Sequence, residues 1–320
     1  MSSRVLVTGA AGFIGSHLTE RLLANQDAVI CLDNFNDFYD PQIKRENIID
    51  FIDNSRFHLI EGDIRDSDLV EKIFRDYSPD AVVHLAAMAG VRPSIEDPLL
   101  YNDVNVNGTC VLLEAARKYP VSNFLFGSSS SVYGARDTVP FSEKEEVSRP
   151  ISPYAATKVA GEILCYTYHH LYNIPVTCLR FFTVYGPRQR PEMAIHMFSR
   201  LIRDEEMVPI FGDGSSRRDY TYIDDIIDGV LCSLERPFGY EIINLGESQT
   251  VALMELVTLL EKGLGKKANL EMLPDQPGDV PVTFADVSRA RELLGYEPSI
   301  SIEKGIEKFV EWFVEGKKGD

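Results

Sequence analysis

The chain has 320 residues, of which 44% are hydrophobic and 25% are charged. These values are typical of a globular protein with a sizeable core, and the length predicts one large domain with a smaller one appended. The formal net charge of −17 argues against a general nucleic-acid or anionic-membrane binder. An anionic ligand must therefore be met by a local cluster of Arg or Lys.

Short β-branched segments alternate with helical patterns through the first half of the chain. The predicted strands are 4–8, 28–32, 56–61, 80–84, 123–128 and 176–181. The predicted helices are 13–25, 66–76, 98–118 and 153–172. Because strands separated by helices indicate βαβ units, we expect an α/β fold with a doubly wound, Rossmann-type parallel sheet.

The second half of the chain differs from the first, because after about residue 185 the predicted elements are shorter and are separated by prolines and glycines. We expect a cofactor-binding domain over 1–180 and a smaller substrate-binding domain over 181–320. The two are predicted to interleave, since segments after 220 are candidates to return to the sheet. A final helix is predicted at about 301–315.

Cysteine usage and the N-terminus both indicate a cytoplasmic protein. The five cysteines are scattered and form no Cys-x-x-Cys pair, which favours buried, reduced thiols over metal or disulfide roles. The chain runs directly into the strand-like Val5–Val7, so no signal peptide is expected. No apolar segment approaches the ~20 residues of a membrane span.

A glycine-rich turn follows the first predicted strand. Gly9, Gly12 and Gly15 are spaced Gly-x-x-Gly-x-x-Gly and lead into a helix, where free N–H groups can receive a pyrophosphate. Such turns are common, so the motif alone is weak evidence. The second strand ends at Asp33, about the expected ~20 residues on, where a carboxylate can accept from adenosine ribose hydroxyls. This acid would repel a 2′-phosphate and favours NAD over NADP.

Two acidic positions complete the predicted dinucleotide site. Asp63 follows the third strand and is expected near the adenine edge. Asp33 by itself could also be a turn residue before Asn34. The glycines, the strand and the acid occur together, and this combination favours a dinucleotide site over a purely structural turn.

A serine-rich strand end precedes a Tyr-x-x-x-Lys pair. Ser129 lies at the end of the fifth strand, and Tyr154 and Lys158 occupy one face of a helix that Pro153 opens. A phenol with a pKa of ~10 is a poor base, but a nearby ammonium stabilises the phenolate. A serine can hydrogen-bond the reacting hydroxyl. Tyr-x-x-x-Lys alone is most often a surface pair; inside a dinucleotide fold it predicts catalysis.

The glycine motif, Ser129, Tyr154 and Lys158 together resemble the extended short-chain dehydrogenase/reductase family, in particular its NAD-dependent nucleotide-sugar epimerases and dehydratases. The resemblance runs from residue 4 to about 312 and implies NAD as the cofactor. It implies further cofactor-binding residues, namely Phe13, Ile14, Asn34, Ile64, Leu85, Ala86, Ala87 and Asn105. It also implies that Arg218 binds the diphosphate and that Asp279, in the segment 276–279, binds the uridine ribose; many relatives have arginine where Gln276 stands.

The reaction class depends on what stands beside the catalytic hydroxyl. Family dehydratases carry an acid there, whereas this chain reads Ser129-Ser130-Ser131-Val132-Tyr133-Gly134. The missing acid favours epimerisation at C4 of a UDP-sugar. The segments 88–94 and 180–191 resemble the UDP-glucuronate 4-epimerases most closely.

That resemblance implies carboxylate partners in two segments. They are Thr183, Arg190, Ser128 and Ser130, with Arg188 as an alternative to Arg190. The alternatives that stay open are a UDP-glucose or UDP-N-acetylglucosamine 4-epimerase, a UDP-glucuronate decarboxylase, and a non-catalytic NAD-binding protein. Similar enzymes dimerise through two helices, which here are 98–118 and 153–172; packing within the domain is the alternative. His84, in an apolar strand, is expected to be structural.

Overall fold

The computed structural model describes residues 2–136, 138–274, 276 and 278–316. Its strands are β1 (Arg4–Thr8), β2 (Ala28–Asp33), β3 (Phe57–Glu61), β4 (Ala81–His84), β5 (Asn123–Ser129), β6 (Val176–Phe181), β7 (Thr183–Tyr185), β8 (Met207–Phe211), β9 (Arg217–Arg218), β10 (Tyr220–Tyr222), β11 (Tyr240–Leu245), β12 (Val251–Ala252) and β13 (Asn269–Leu273).

The helices surround these strands. They are α1 (Phe13–Ala24), α2 (Pro41–Ile48), α3 (Ser67–Tyr77), α4 (Val91–Glu96), α5 (Pro98–Asn102), α6 (Gly108–Lys118), α7 (Pro153–Tyr172), α8 (Ala194–Arg203), α9 (Ile223–Glu235), α10 (Leu253–Leu264), α11 (Ser288–Leu294) and α12 (Ile302–Glu315). Short 3₁₀ turns lie at Ile49–Phe51 and Ser130–Tyr133.

A seven-stranded parallel sheet forms the centre of the molecule, in the order β11-β6-β5-β4-β1-β2-β3. Side chains alternate between its faces, so Val5 and Val7 join one buried cluster while Leu6 joins the other. The strand order reverses at β1 and β4, and ligands of such sheets bind in the crevice at the carboxyl ends there. The predicted Rossmann-type fold is confirmed, with the predicted strands within one residue of the observed bounds.

The helix that carries Tyr154 and Lys158 begins and ends where its sequence dictates. The side chain of Ser152 accepts a hydrogen bond from the Ala155 N–H at 3.1 Å, and Pro153 occupies the first turn. Asn173 closes the helix in the left-handed conformation, with φ of 56°. α7 therefore has a fixed start directly beside the end of β5.

The predicted helix 98–118 is interrupted in the structure. α5 and α6 are joined by a π-helical turn at Asp103–Asn107, within an otherwise continuous helical segment. In that turn Asn105 is buried, and its amide exchanges hydrogen bonds with the backbone of Met88 at 2.8 and 2.9 Å. Such turns frequently mark functional sites, and hydrophobic periodicity does not report them.

Part of the second half returns to the central sheet. β11 pairs with β6, and α9 packs against α1, where Arg21 and Asp228 form an ion pair at 3.0 Å. The remaining strands form three two-stranded sheets, β7 with β10, β9 with β12 and β8 with β13. A cut at residue 180 falls within β6 and separates β11 from the other strands of the central sheet. The division into two domains stays a prediction.

Candidate active site

One cavity lies at the carboxyl ends of the central strands and collects most of the predicted site residues. Those lining it are Gly9, Gly12, Phe13, Ile14, Gly15, Asp33, Asn34, Asp63, Ile64, Leu85, Ala86, Ala87, Ser128, Ser129, Ser130, Tyr154, Lys158, Thr183 and Arg190. The glycine turn and the Ser–Tyr–Lys group thus open into the same space, although more than a hundred residues separate them in the chain.

The glycine turn packs so closely on the protein's own backbone that two of its positions have no room for a side chain. Gly9 has φ of +71°, and a Cβ there would lie 2.8 Å from the backbone N of Ala86. A Cβ on Gly15 would lie 2.1 Å from the carbonyl oxygen of Gly9. Gly12 begins α1 with no side-chain cap, which leaves N–H groups of the first turn for an anion. This cradle fits the pyrophosphate of a dinucleotide.

Asp33 closes the end of β2 and is almost fully buried. Its carboxylate accepts hydrogen bonds from the N–H of Phe35 at 2.9 Å and of Ala11 at 3.1 Å. Burial raises the pKa of Asp33, and these two backbone bonds oppose the rise. Asp33 is therefore both a turn residue and a wall of the cavity. An ionised carboxylate has lone pairs left for ribose hydroxyls.

The neighbouring acid, Asp63, belongs to a polar cluster at the cavity edge. Its carboxylate pairs with Arg65 at 2.8 Å and accepts from the amide of Asn34 at 3.0 Å. The hydrogen bond from Arg65 lowers the pKa of Asp63 to about 2, so it is ionised at neutral pH. The cluster holds Asn34 and Asp63 together across the ends of β2 and β3.

The end of β4 supplies the wall between the glycines and the catalytic group. His84 is buried there, with its ring nitrogens 2.7 Å from the hydroxyl of Thr8 and 3.0 Å from that of Thr109. Desolvation lowers its pKa to about 3, which keeps it neutral. His84 is structural, as its sequence context predicts. Asn105, predicted as a cofactor ligand, does not line the cavity; it lies behind the wall and holds Met88.

Ser129, Tyr154 and Lys158 converge at the other end of the cavity. The Nζ of Lys158 donates to the carbonyl oxygen of Gly127 at 2.7 Å and lies 5.9 Å from the centre of the Tyr154 ring. Desolvation raises the pKa of Tyr154, while a hydrogen bond with Ser129 and the charge of Arg190 lower it. Desolvation also lowers the pKa of Lys158, to about 8. The arrangement can remove a proton from a hydroxyl presented to Tyr154.

The serines at the end of β5 and directly after it divide into two roles. Ser128 lines the cavity, but its hydroxyl donates to the buried carboxylate of Glu162 at 2.6 Å, and Glu162 pairs with Arg180 at 2.8 Å. The hydroxyl hydrogen of Ser128 is therefore used inside the protein, and its predicted contact with the sugar stays a prediction. Ser131, which the sequence analysis missed, lines the cavity and donates to the hydroxyl of Ser129 at 3.0 Å.

The structure separates the two candidate arginines of the 180–191 segment. Arg188 pairs with Glu20 of α1 at 2.9 Å and does not line the cavity. Arg190 lines it, together with Thr183. Arg188 is thus an anchor of the loop to α1, and Arg190 is the one of the two arginines that a ligand in the cavity would meet.

A second cavity lies between β8, β9 and the segment that follows β13. It is lined by Phe211, Gly212, Asp213, Ser215, Ser216, Arg218, Leu273, Pro274, Gln276, Asp279, Val280 and Pro281. Asp279 also pairs with Arg92 at 3.0 Å. Arg218 and Asp279, predicted to bind the diphosphate and the ribose, therefore share this cavity and not the one that holds Tyr154.

The pattern of this site is found in known proteins. The model of the family described as GDP-mannose 4,6 dehydratase matches residues 6–309. The chain belongs to this family.

Three relatives illustrate how similar this family member is to proteins already described. A UDP-glucuronate 4-epimerase from Thermodesulfobacterium geofontis is 46% identical over 308 residues, covering 96% of this chain and 95% of that protein. The crystal structure of a UDP-glucuronic acid 4-epimerase from Bacillus cereus, in complex with UDP-glucuronic acid and NAD, has a TM-score of 0.93 and 41% identity over 98% of this chain and 99% of that one. The crystal structure of a UDP-glucose 4-epimerase from Thermotoga maritima with UDP-glucose has a TM-score of 0.91 and 35% identity, covering 98% and 99% of the two chains.

This GDP-mannose 4,6 dehydratase family member has further cavity residues that the sequence analysis did not single out. Lys44 is buried on α2, where its Nζ donates to the backbone and side-chain oxygens of Asn36 at 2.7 and 2.6 Å. Phe38 and Tyr39, from the loop after β2, line the same region. These residues follow Asp33 without a regular period; the only available signal was their closeness in sequence to that acid.

Among the described residues, no group of three or more His, Cys, Asp or Glu side chains is arranged to hold a metal ion. Within the same part of the chain, no helix has the length and apolar character needed to cross a membrane. All five cysteines are free thiols.

Proposed function

We propose that this protein is an NAD-dependent isomerase that epimerises UDP-glucuronate at C4, giving UDP-galacturonate through a 4-keto intermediate. The observation that carries the proposal is the convergence of Ser129, Tyr154 and Lys158 with Arg190 in the cavity that begins at the glycine turn. Relatives that are 46% and 41% identical are UDP-glucuronate 4-epimerases, and one was crystallised with UDP-glucuronic acid and NAD.

The residues of the chain account for the proton chemistry. Tyr154 takes the proton of the sugar 4-hydroxyl, and the hydroxyl of Ser129 orients that group. The ammonium of Lys158 stabilises the phenolate that Tyr154 must reach, because opposite charge favours the ionised form. After the 4-keto sugar has turned over, Tyr154 returns the proton to the oxygen on the opposite face.

The cofactor would be held by the glycine turn, Asp33 and the polar cluster of Asn34 and Asp63. When bound there, NAD supplies reversible oxidation and reduction at C4 of the sugar. Because the cofactor is regenerated in each cycle, we expect it to remain bound and to co-purify. Asp33 favours NAD over NADP, since a buried carboxylate repels a 2′-phosphate.

The choice of UDP-glucuronate depends on a cation beside the reacting carbon. Arg190 can form charge-assisted hydrogen bonds with a carboxylate, and Thr183, Ser130 and Ser131 add hydroxyl donors in the same cavity. Oxidation at C4 produces a β-keto acid, which loses CO₂ when its carboxylate bond stands perpendicular to the ketone plane. Firm binding of the carboxylate keeps the reaction on the epimerase path. Arg218 and Asp279 are the candidates to hold the diphosphate and uridine ribose.

One experiment tests this function against its alternatives. The purified protein is incubated separately with UDP-glucuronate, UDP-glucose and UDP-N-acetylglucosamine, without added NAD, and the products are identified by NMR. We expect UDP-galacturonate from UDP-glucuronate. UDP-pentose as the main product would identify a decarboxylase instead, and turnover of only the neutral sugars would identify a UDP-glucose-type 4-epimerase. No turnover of any of the three would favour a non-catalytic NAD-binding protein.

The proposed enzyme is a cytoplasmic homodimer. Apolar side chains on α5 and α7 are exposed in the single chain, including Leu99 at 81%, Ile163 at 60% and Leu171 at 58%. Exposed apolar groups on adjacent helices are typical of a subunit interface. Light scattering should give the mass of two chains, and Ile163→Arg should shift it toward one chain; a monomeric wild type would contradict the dimer. The free thiols suit a reducing compartment.

A further inference from the structure

Arg190 is held by a neighbouring carboxylate. Its Nε lies 2.9 Å from Oε1 of Glu192, and the two side chains are 21% and 41% exposed. Arg190 lines the cavity, whereas Glu192 does not. Glu192 thus contacts the guanidinium from outside the space where a ligand would bind.

The backbone fixes both partners of this pair. The N–H of Met193 donates to the carbonyl oxygen of Arg190 at 3.1 Å, so residues 190–193 form a tight turn with Pro191 at its second position. The preceding residue, Gln189, is buried and donates from its amide to the carbonyl oxygen of Val184 at 3.1 Å. The turn is therefore anchored to β7, and the spacing between Arg190 and Glu192 is set by rigid structure.

The contact with Glu192 uses only one edge of the guanidinium. Arg has five N–H donors, four of them on Nη1 and Nη2. Glu192 lies beside Nε as an ion-pair partner, and Nε itself makes no hydrogen bond with the described residues. Within the described residues, no acceptor bonds Nη1 or Nη2 of Arg190. The ring of Phe38 packs 5.7 Å from its Cζ. The two Nη atoms are thus available for a carboxylate in the fork geometry that Arg prefers.

We propose that Glu192 is a positioning residue for the sugar carboxylate, holding Arg190 by an ion pair beside its Nε so that the Nη edge faces the cavity. The inference rests on the proposed function, since it assigns Arg190 to the carboxylate of UDP-glucuronate. Arg side chains lose considerable rotamer entropy when they are ordered, and an arginine ordered in advance binds its ligand more tightly.

The same positioning protects the 4-keto intermediate. If the carboxylate rotates, the C5–C6 bond breaks, its electron pair moves into the C4 ketone to give an enolate, CO₂ leaves, and C5 takes a proton from solvent. A guanidinium that cannot turn opposes that rotation. Glu192 therefore affects both the affinity for UDP-glucuronate and the share of substrate lost as pentose.

Two substitutions at Glu192 and one matched control test the proposal. Glu192→Ala removes the carboxylate of the ion pair and should lower kcat/KM for UDP-glucuronate by about tenfold, because Arg190 is then less well ordered for the sugar carboxylate. It should also raise the UDP-pentose fraction seen by mass spectrometry, while leaving the calorimetric affinity for UDP-glucose unchanged. Glu192→Gln keeps the size of the side chain but removes the charge that forms the ion pair, so it should lower kcat/KM for UDP-glucuronate to a similar extent. The control is Glu20→Ala, which frees Arg188 in the same loop.

Several results would overturn the proposal. Glu192→Ala could behave like Glu20→Ala, or it could weaken both sugars equally. Glu192→Gln could bind UDP-glucuronate more tightly than wild type, which would make Glu192 a competitor for Arg190. Thermal unfolding of each variant checks that the fold is intact. If the wild type does not epimerise UDP-glucuronate, the proposed function fails; if it does and Glu192→Ala is unchanged, only this inference fails.

Discussion

The ammonium of Lys158 donates to the carbonyl oxygen of Gly127 at 2.7 Å, which joins the first turns of α7 to the end of β5. This bond holds a cation next to the Tyr154 ring in a buried environment. Attraction between charges is stronger where water is excluded. The hydrogen bond thus fixes the electrostatic environment in which Tyr154 must lose and regain its proton.

Lys158→Met should lower kcat by roughly 10²–10⁴-fold, because the Tyr154 phenolate loses its neighbouring ammonium. The measurement is the initial rate of UDP-glucuronate epimerisation, with bound NAD quantified after denaturation to correct for cofactor loss. A cofactor-corrected rate close to wild type would show that Lys158 does not assist the base.

Tyr154→Phe should lose most activity and still bind the UDP-sugar. The phenol is the proposed base, and its loss should cost ~10²–10⁴-fold in rate. The ring remains, so its edge-to-face packing on Tyr101, with centroids 6.3 Å apart, is retained. Calorimetry with UDP-glucuronate should give an affinity near that of wild type. Turnover near the wild-type rate in this variant would rule out the mechanism.

Asp33→Asn should reduce the preference for NAD over NADP. The wild-type carboxylate repels a 2′-phosphate, and the amide oxygen can still accept from one of the two backbone N–H groups. We expect relative NADP affinity to rise about tenfold, which corresponds to about 1.4 kcal/mol. Binding of both cofactors to the apoprotein is compared by fluorescence. Equal wild-type affinities for NAD and NADP would show that Asp33 does not select the cofactor.

Arg190→Ala should weaken turnover of UDP-glucuronate far more than any trace activity on UDP-glucose. The carboxylate loses its charge-assisted partner in the cavity, and such hydrogen bonds are about twice as strong as neutral ones. Mass spectrometry should also detect a decarboxylated pentose product. Arg188→Ala is the matched control, because Arg188 pairs with Glu20 outside the cavity. Equal losses on both sugars would remove Arg190 from the carboxylate site.

His84 should make the protein less stable as the pH falls below neutrality. Its pKa is about 3 when folded and ~6.5 when unfolded, so between these values the unfolded chain binds the extra proton. The contribution of His84 to the free energy of unfolding is fully present above pH ~6.5 and decreases as the pH falls. At pH 5 this contribution is lower by about 2 kcal/mol. Urea unfolding at pH 7 and pH 5 measures it. His84→Gln, which cannot titrate, should show a smaller drop, and an equal drop would contradict this assignment.

The elements that place the site could be predicted because their signals are local. Alternating β-branched segments, the glycine turn and the Ser152–Pro153 start of α7 each act within a few residues, and each lies where it was expected. Tyr154 and Lys158 share a helical face for the same reason. The return of β11 to the sheet was anticipated only loosely, because strand pairing depends on contacts distant in sequence.

Side-chain assignments were harder, because they depend on partners that no spacing reveals. Ser128 stands in a run of serines, yet its hydroxyl donates a hydrogen bond to Glu162 on α7. The sequence does not distinguish Arg188 from Arg190 as the carboxylate partner. In the structure, φ of 62° at Arg188 turns the chain between them. Lys44 lies on a helix that was not predicted. Each difference arises from tertiary packing.

The position of β11 has a consequence for synthesis of the chain on the ribosome. β6 lies between β5 and β11, so until Tyr240–Leu245 has been made, the backbone of β6 is an open edge. At about 5–20 residues per second, the stretch from β6 to β11 takes roughly 3–12 s to translate. During that time an apolar strand that includes Cys178 and Leu179 presents unpaired N–H and C=O groups to other nascent chains. A fragment ending near residue 180 would keep that edge permanently, which makes it a poor starting point for engineering an isolated cofactor-binding module.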